Sequence, residues 1–123
     1  MIRSLSPRLR DGEYVFCTVG NAHYGDYAEV DPIASFSEME GLTLVLLKDA
    51  AESAGLQYQG IFRCISLGVH SNLQAVGLTA AVSAALAENG ISANMMAGYF
   101  HDHIFVESNN ATDALGILLN LAK

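Results

Sequence analysis

The residues of this 123-residue chain best suited to chemistry are four histidines, two cysteines and a polar strand-to-helix junction. The densest group is His101-Asp102-His103. Two imidazoles at i and i+2 on a strand share a face, about 6.5 Å apart along the chain. That spacing suits a metal, but zinc asks for three or four ligands in tetrahedral array, and no Cys or further His lies nearby in sequence. His101 and Asp102 also fall in a predicted turn, where Asp commonly bonds its own backbone. The expectation is a structural turn first, a ligand or interface contact second, and no metal site. At His70-Ser71-Asn72 a strand hands over to a predicted helix. The free backbone N–H groups and partial positive charge of a helix start can hold a carboxylate without Lys or Arg. A competing explanation for Ser71 is a capping box with Gln74.

Nothing reads as catalytic. Adjacent residues on a strand point to opposite faces, so His70 is badly placed to activate Ser71. The chain has no G-x-S-x-G, Walker or H-E-x-x-H motif. Glu38 and Glu40 read as hairpin surface charges, and His23 as a solvated loop residue. Cys17 and Cys64 sit among apolar strand neighbours and read as free, buried thiols. No catalytic residue and no cofactor is assigned.

The elements that must position these groups follow from pattern. Residues 1–12 are polar and read as a loosely held arm. Glu13 to Val19 is a strand, and Gly20 to Pro32 a loop or short irregular strand pair. Ile33 to Met39 and Leu42 to Leu47 form a hairpin about Glu40-Gly41. A short helix, Lys48 to Ala54, stops at Gly55. Phe62 to Val69 is the strand leading into the junction. The next helix is predicted from Ser71 to Glu88, with Leu73, Val76, Ala80, Ala84 and Ala87 inward, Gly77 inside it, and Asn89-Gly90 ending it. Ile91 to Tyr99 and His103 to Glu107 make a second hairpin. Ala111 to Ala122 is a last amphipathic helix, with Ala114, Leu115, Leu118 and Leu121 inward and Asn109 or Asn110 as its cap.

Hydrophobic residues are 51% of the chain, enough for a core without disulfides or metal. Charged residues are 15%, a sparse surface that suits an oligomer interface. The net charge of −7 with six Lys or Arg disfavours nucleic acid and anionic membranes as partners. No apolar run approaches the ~20 residues of a membrane span, and the start has no apolar signal core, so a soluble cytoplasmic protein is expected. The order strand, hairpin and short helix, then strand–helix–hairpin–helix, reads as α+β: a ferredoxin-like antiparallel sheet with helices on one face, in two incomplete tandem units.

Val69 to Ala81 (VHSNLQAVGLTAA), Gly90 to Val106 (GISANMMAGYFHDHIFV) and Glu38 to Leu46 (EMEGLTLVL) carry a resemblance. The chain resembles the small stand-alone ACT-like proteins, in which a truncated N-terminal ACT-like half (here 1–60) precedes an ACT domain (61–123). The ACT halves of cytosolic arginine sensors of the CASTOR type are similar in kind. The resemblance implies a dimer and a regulatory, non-catalytic role through binding of an amino acid or related small molecule. The family's usual binding loop maps to Val69 through Leu78. The resulting candidate ligand contacts are His70, Ser71, Asn72, Val76, Gly77 and Leu78, with Asn94, His101, Asp102 and His103 from the second hairpin. The alternative is a protein-interaction module with no ligand.

Overall fold

The computed structural model describes residues 5–68 and 77–123. In chain order the elements are β1 (Pro7–Leu9), β2 (Tyr14–Val19), β3 (Ala34–Glu38), β4 (Gly41–Leu47), α1 (Lys48–Ser53), β5 (Phe62–Leu67), α2 (Leu78–Glu88), β6 (Asn94–Ala97), β7 (Asp102–Glu107) and α3 (Ala111–Ala122). Single 3-10 turns stand at Ala28–Val30 and Ser108–Asn110. The chain forms two compact units, Gly12–Ile61 and Met1–Asp11 with Phe62–Lys123.

In the Gly12–Ile61 unit, β4 pairs antiparallel with β2, from Tyr14↔Leu47 to Val19↔Leu42. It also pairs antiparallel with β3, from Ala34↔Val45 to Glu38↔Gly41. A strand with both faces covered reads as a continuous apolar run. Leu42, Leu44, Val45 and Leu46 are all buried accordingly. Val15, Cys17, Leu42, Leu44, Leu46 and Ala51 form the core, and Tyr27, Val30, Leu56 and Tyr58 pack around it. The six-residue α1 buries one side chain, Ala51. Its end is closed by Gly55 N–H to the Glu52 carbonyl (3.1 Å) and Leu56 N–H to the Ala51 carbonyl (2.9 Å). Gly41 has φ +149°, and a Cβ there would lie 2.5 Å from the Val19 carbonyl oxygen. No side chain fits that position, which is the physical basis of the Glu40-Gly41 turn signal. Gly20 to Pro32 is a loop with one 3-10 turn and no strand pair. The Asp26 carboxylate accepts the His23 backbone N–H in it (2.8 Å).

In the other unit, β5 pairs antiparallel with β7, from Phe62↔Glu107 to Ser66↔His103. Next, β7 pairs with β6, from Asn94↔Phe105 to Ala97↔Asp102. Leu5, Ile65, Leu67, Val82, Leu86, Ile91, Ile104, Val106, Ala111, Ala114 and Leu118 form its core. Full burial of each large aliphatic side chain there stabilises by about 1.5–3 kcal/mol. Three sequence expectations are corrected in this unit. The N-terminal segment is not a loose arm: β1 pairs with β5, from Pro7↔Leu67 to Leu9↔Ile65. Leu5 is fully buried. Arg10 N–H donates to the Cys64 carbonyl (2.8 Å), and Arg63 Nη2 donates to the Arg10 carbonyl (2.9 Å). Three residues carry too little period to announce a strand, and the hydrogen-bonding edge of β5 recruits them.

The helix α2 is the second correction. It begins at Leu78, with Gly77 as N-cap at φ +102°, a conformation that no helix interior contains. Gly77 therefore stands before the helix and not within its first turns. Residues 69–76, with His70, Ser71, Asn72, Val76 and the capping box, lie outside the described residues. The buried face is Val82 and Leu86, with Leu78 packed against the same core, while Ala80, Ala84 and Ala87 are exposed. Alanine carries little apolar area, so the larger residues at 78, 82 and 86 decide which face turns inward. Third, α3 has no side-chain cap from Asn110. The 3-10 turn ahead of it satisfies the Ala111 N–H through the Ser108 carbonyl instead. Its inward face is as the periodicity predicts: Ala114 and Leu118 are buried with Ala111, and Leu115 and Leu121 pack on the core.

Candidate functional site

The sheet of the unit that includes β5 has two faces, and strand alternation sorts the candidate residues between them. Ile104 and Val106 face the core beneath α2 and α3. Asp102 shares their parity on β7, so it belongs to the helix-covered side, and it is 4% exposed. This corrects its placement in the turn: Asp102 is the first residue of β7, paired with Ala97. His101 stays in the turn and is exposed. The hairpin closes through Gly98 N–H donating to the His101 carbonyl (2.8 Å).

His103 and Asn94 take the opposite parity and lie on the other face, with Cys64, Ser66 and Phe105. Asn94 Nδ2 donates to the Phe105 carbonyl (3.4 Å), which ties its amide to the hairpin. Ser66 Oγ and His103 Nδ1 share a hydrogen bond of 2.7 Å, its direction set by the imidazole tautomer. These two residues are register partners, and Arg8 is the register partner of Ser66 on β1. A row Arg8–Ser66–His103 therefore crosses three strands. Burial holds the His103 imidazole below the usual histidine range, reinforced by the charges of Arg10 and His101 against the pull of Asp102. Burial also pushes the Cys64 thiol up, against hydrogen bonds from Ser66 and Arg10. Burial raises Cys17 likewise. Both cysteines are free and buried, and thiols so placed are poor nucleophiles at neutral pH.

Ser66 with His103 has the composition of a nucleophile and a base. Its geometry serves the sheet: Ser66 is 8% exposed, and the pair bolts β5 to β7. A Cβ on Gly98 would stand 3.5 Å from His103 Nε2 and 2.9 Å from the His101 carbonyl oxygen, so the turn backbone closes on the ring. The sequence reading missed Ser66. The alternation of Phe62 to Leu67 could have placed it opposite Ile65 and Leu67, but its partner depends on a register 37 residues away.

The described candidates thus divide. Gly77 and Leu78 stand at the start of α2, with Leu78 packed on the core. Asp102 lies on the helix side, Asn94 and His103 on the other face, and His101 at the tip. Among the described residues no group of three His, Cys, Asp or Glu is arranged to hold a metal ion. No helix among them is long and apolar enough to cross a membrane.

Two family models, both of the ACT domain, match the chain, one over residues 1–63 and one over residues 59–120. A protein of unknown function from Vibrio cholerae, described as a possible transport protein, is 54% identical to it. That match covers 98% of this chain and 92% of the other at a TM-score of 0.89. A protein from Agrobacterium tumefaciens is 18% identical, covering 96% and 89%, with a TM-score of 0.78. The ligand-free regulatory subunit of aspartate kinase from Thermus thermophilus is 14% identical, covering 95% and 97%, with a TM-score of 0.66. The last two likenesses concern the fold alone. No curated protein matches the chain. With ACT models covering both halves and an ACT-type α+β fold beneath them, the chain belongs to the ACT-domain family, whose domains are in general regulatory and bind small molecules.

Proposed function

We propose that this protein is a non-catalytic cytoplasmic regulator that binds an amino acid or a related small acid and acts as a homodimer, with residues 1–60 and 61–123 as its tandem ACT-like halves. The observation that carries the reading is the pair of ACT-domain matches spanning residues 1–63 and 59–120. The segment from residue 69 to Leu78 is the proposed binding loop, with His70, Ser71, Asn72, Val76, Gly77 and Leu78 as its residues. Two features support that choice. The eleven-residue α2 starts at its end with no side-chain cap from Gly77, and a helix start favours a carboxylate. Asp102, buried on the helix side of the same sheet, is a carboxylate suited to an α-ammonium group. Asn94, His101 and His103 complete the proposed set.

A thermal-shift screen against the twenty amino acids tests the reading. A ligand at a hundred times its Kd adds about 2.7 kcal/mol of stability. Asn72→Leu should abolish the hit without lowering the unliganded midpoint, and Gly77→Trp should abolish it while also lowering that midpoint, because Gly77 holds φ +102°. A flat screen at millimolar concentrations sinks the amino-acid reading. It would favour a ligand-free docking module, for which the exposed, edge-to-face Tyr99 and Phe100 at the hairpin tip speak. Sedimentation at micromolar concentration tests the dimer.

A further inference from the structure

The formal charge of the chain is unevenly divided. Residues 12–61 hold eight Asp or Glu against Lys48, a net charge of −7, while residues 1–11 with 62–123 hold five of each sign and are neutral. The whole charge of the protein therefore belongs to one unit. Lys48 is engaged with Glu52 at 3.6 Å. Five of the eight acids fall between Asp26 and Glu40 and so bracket β3 in sequence.

Strand β3 is an edge. It pairs with β4 on one side and ends the strand order on the other. Four of its five residues are exposed. The hairpin closes on the Glu38↔Gly41 pair across a two-residue turn. Antiparallel ladder bonds alternate, so the backbone groups of Ala34, Phe36 and Glu38 serve β4 and those of Ser35 and Ser37 face outward. Natural edges are blunted by Lys, Pro or a covering element. Ala34 to Glu38 contains no Lys and no Pro. Large apolar side chains stand along it instead: Ile33, Phe36 (71% exposed) and Met39. Glu38 is held in place by a hydrogen bond from Thr43 Oγ1.

We propose that the outer edge of β3 docks an extended, basic segment of a partner protein as an added antiparallel strand. The added backbone bonds Ser35 and Ser37. An apolar side chain of the partner lies beside Phe36, and Lys or Arg side chains meet Glu38, Glu40 and the acids before β3. Charge selects this occupant over a second copy, because edge-to-edge pairing of two copies would bring two units of −7 together within a Debye length of about 8 Å. The surface lies in the unit that lacks the proposed binding loop, so it goes beyond the ligand-binding reading and stands or falls without it.

The test uses the full chain and capped peptides of sequence Lys-Thr-Val-Thr-Lys-Thr-Lys, which set Val beside Phe36 and Lys beside Glu38 on one face, followed by fluorescence anisotropy and by amide shift mapping. The Lys peptide should bind saturably below about 1 mM and shift the amides of residues 33–39. The counterpart with Glu in place of Lys, and a Lys peptide N-methylated at alternate residues so that it cannot bond an edge, should each bind about tenfold more weakly or worse. Ser37→Pro removes an outward N–H and keeps the β4 bonds, and should have the same effect. Equal binding by the N-methylated peptide, shifts mapping away from β3, or no binding at 1 mM overturns the proposal. So does concentration-dependent self-association that Ser37→Pro abolishes, which would assign the edge to a second copy. The N-methylated arm decides the matter even if Ser37→Pro fails to fold.

Discussion

The two units solve the same packing problem with different helical material. In residues 62–123, α2 and α3 supply five buried side chains between them: Val82, Leu86, Ala111, Ala114 and Leu118. In residues 12–61, α1 supplies Ala51. The rest of that cover comes from loop residues such as Tyr27, Val30, Leu56 and Tyr58. A six-residue helix has one face one residue wide, so loops must close the core around it. The better-covered unit is neutral and carries the Ser66–His103 bond. The sparsely covered one holds all the net charge and an open strand edge. The difference is between a neutral half covered by two helices and a half with one short helix that carries the net charge and the β3 edge.

The largest effects should come from the two cores. Leu118→Ala and Leu44→Ala remove fully buried leucines from the two-helix and one-helix cores respectively. Each should cost about 2–5 kcal/mol by urea denaturation. Loops collapse into a cavity more readily than packed helices, so Leu44→Ala should fall at the low end. A larger loss there would break the contrast. Next comes Gly41→Val, which meets the Val19 carbonyl and a φ closed to side chains. About 2–3 kcal/mol should be lost, with hydrogen exchange rising in β3 and β4. Ser66→Ala should cost about 1 kcal/mol, the net value of one partly buried hydrogen bond. Equal stability would show that the pair does not fasten β5 to β7.

The smallest effect is on pH dependence. Because His103 titrates below its unfolded value, the unfolded chain takes up its proton first. Stability contributed by this group is intact above the unfolded value of about 6.5 and declines as pH falls from there toward the folded pKa. His103→Asn should flatten that decline in a series of urea midpoints between pH 7 and pH 5. An unchanged slope would place the titration elsewhere.

The hairpins were legible in the sequence and their side-chain contacts were not. The glycine at Gly41 and the apolar run of β4 announced a hairpin, because two-residue turns and fully paired strands are local demands on sequence. The sequence puts Asp102 in the turn because adjacent polar residues look alike there. Its burial follows from pairing with Ala97, which periodicity does not contain.

By itself the sequence determined the two hairpins, the final helix, both cysteines as buried thiols and the ACT-type order of strands and helices. Each of these rests on a residue's own conformational limits or on a period repeated within a few residues. Only the tertiary structure decided that Pro7–Leu9 joins a sheet, that α2 turns Val82 and Leu86 inward and leaves Ala80, Ala84 and Ala87 outside, and that Ser66 meets His103. An alanine-rich helix has no strongly preferred face of its own, and a three-residue strand has no period. A hydrogen bond across 37 residues exists only once loop-closure entropy has been overcome by the core beneath it. Those choices belong to the packed whole.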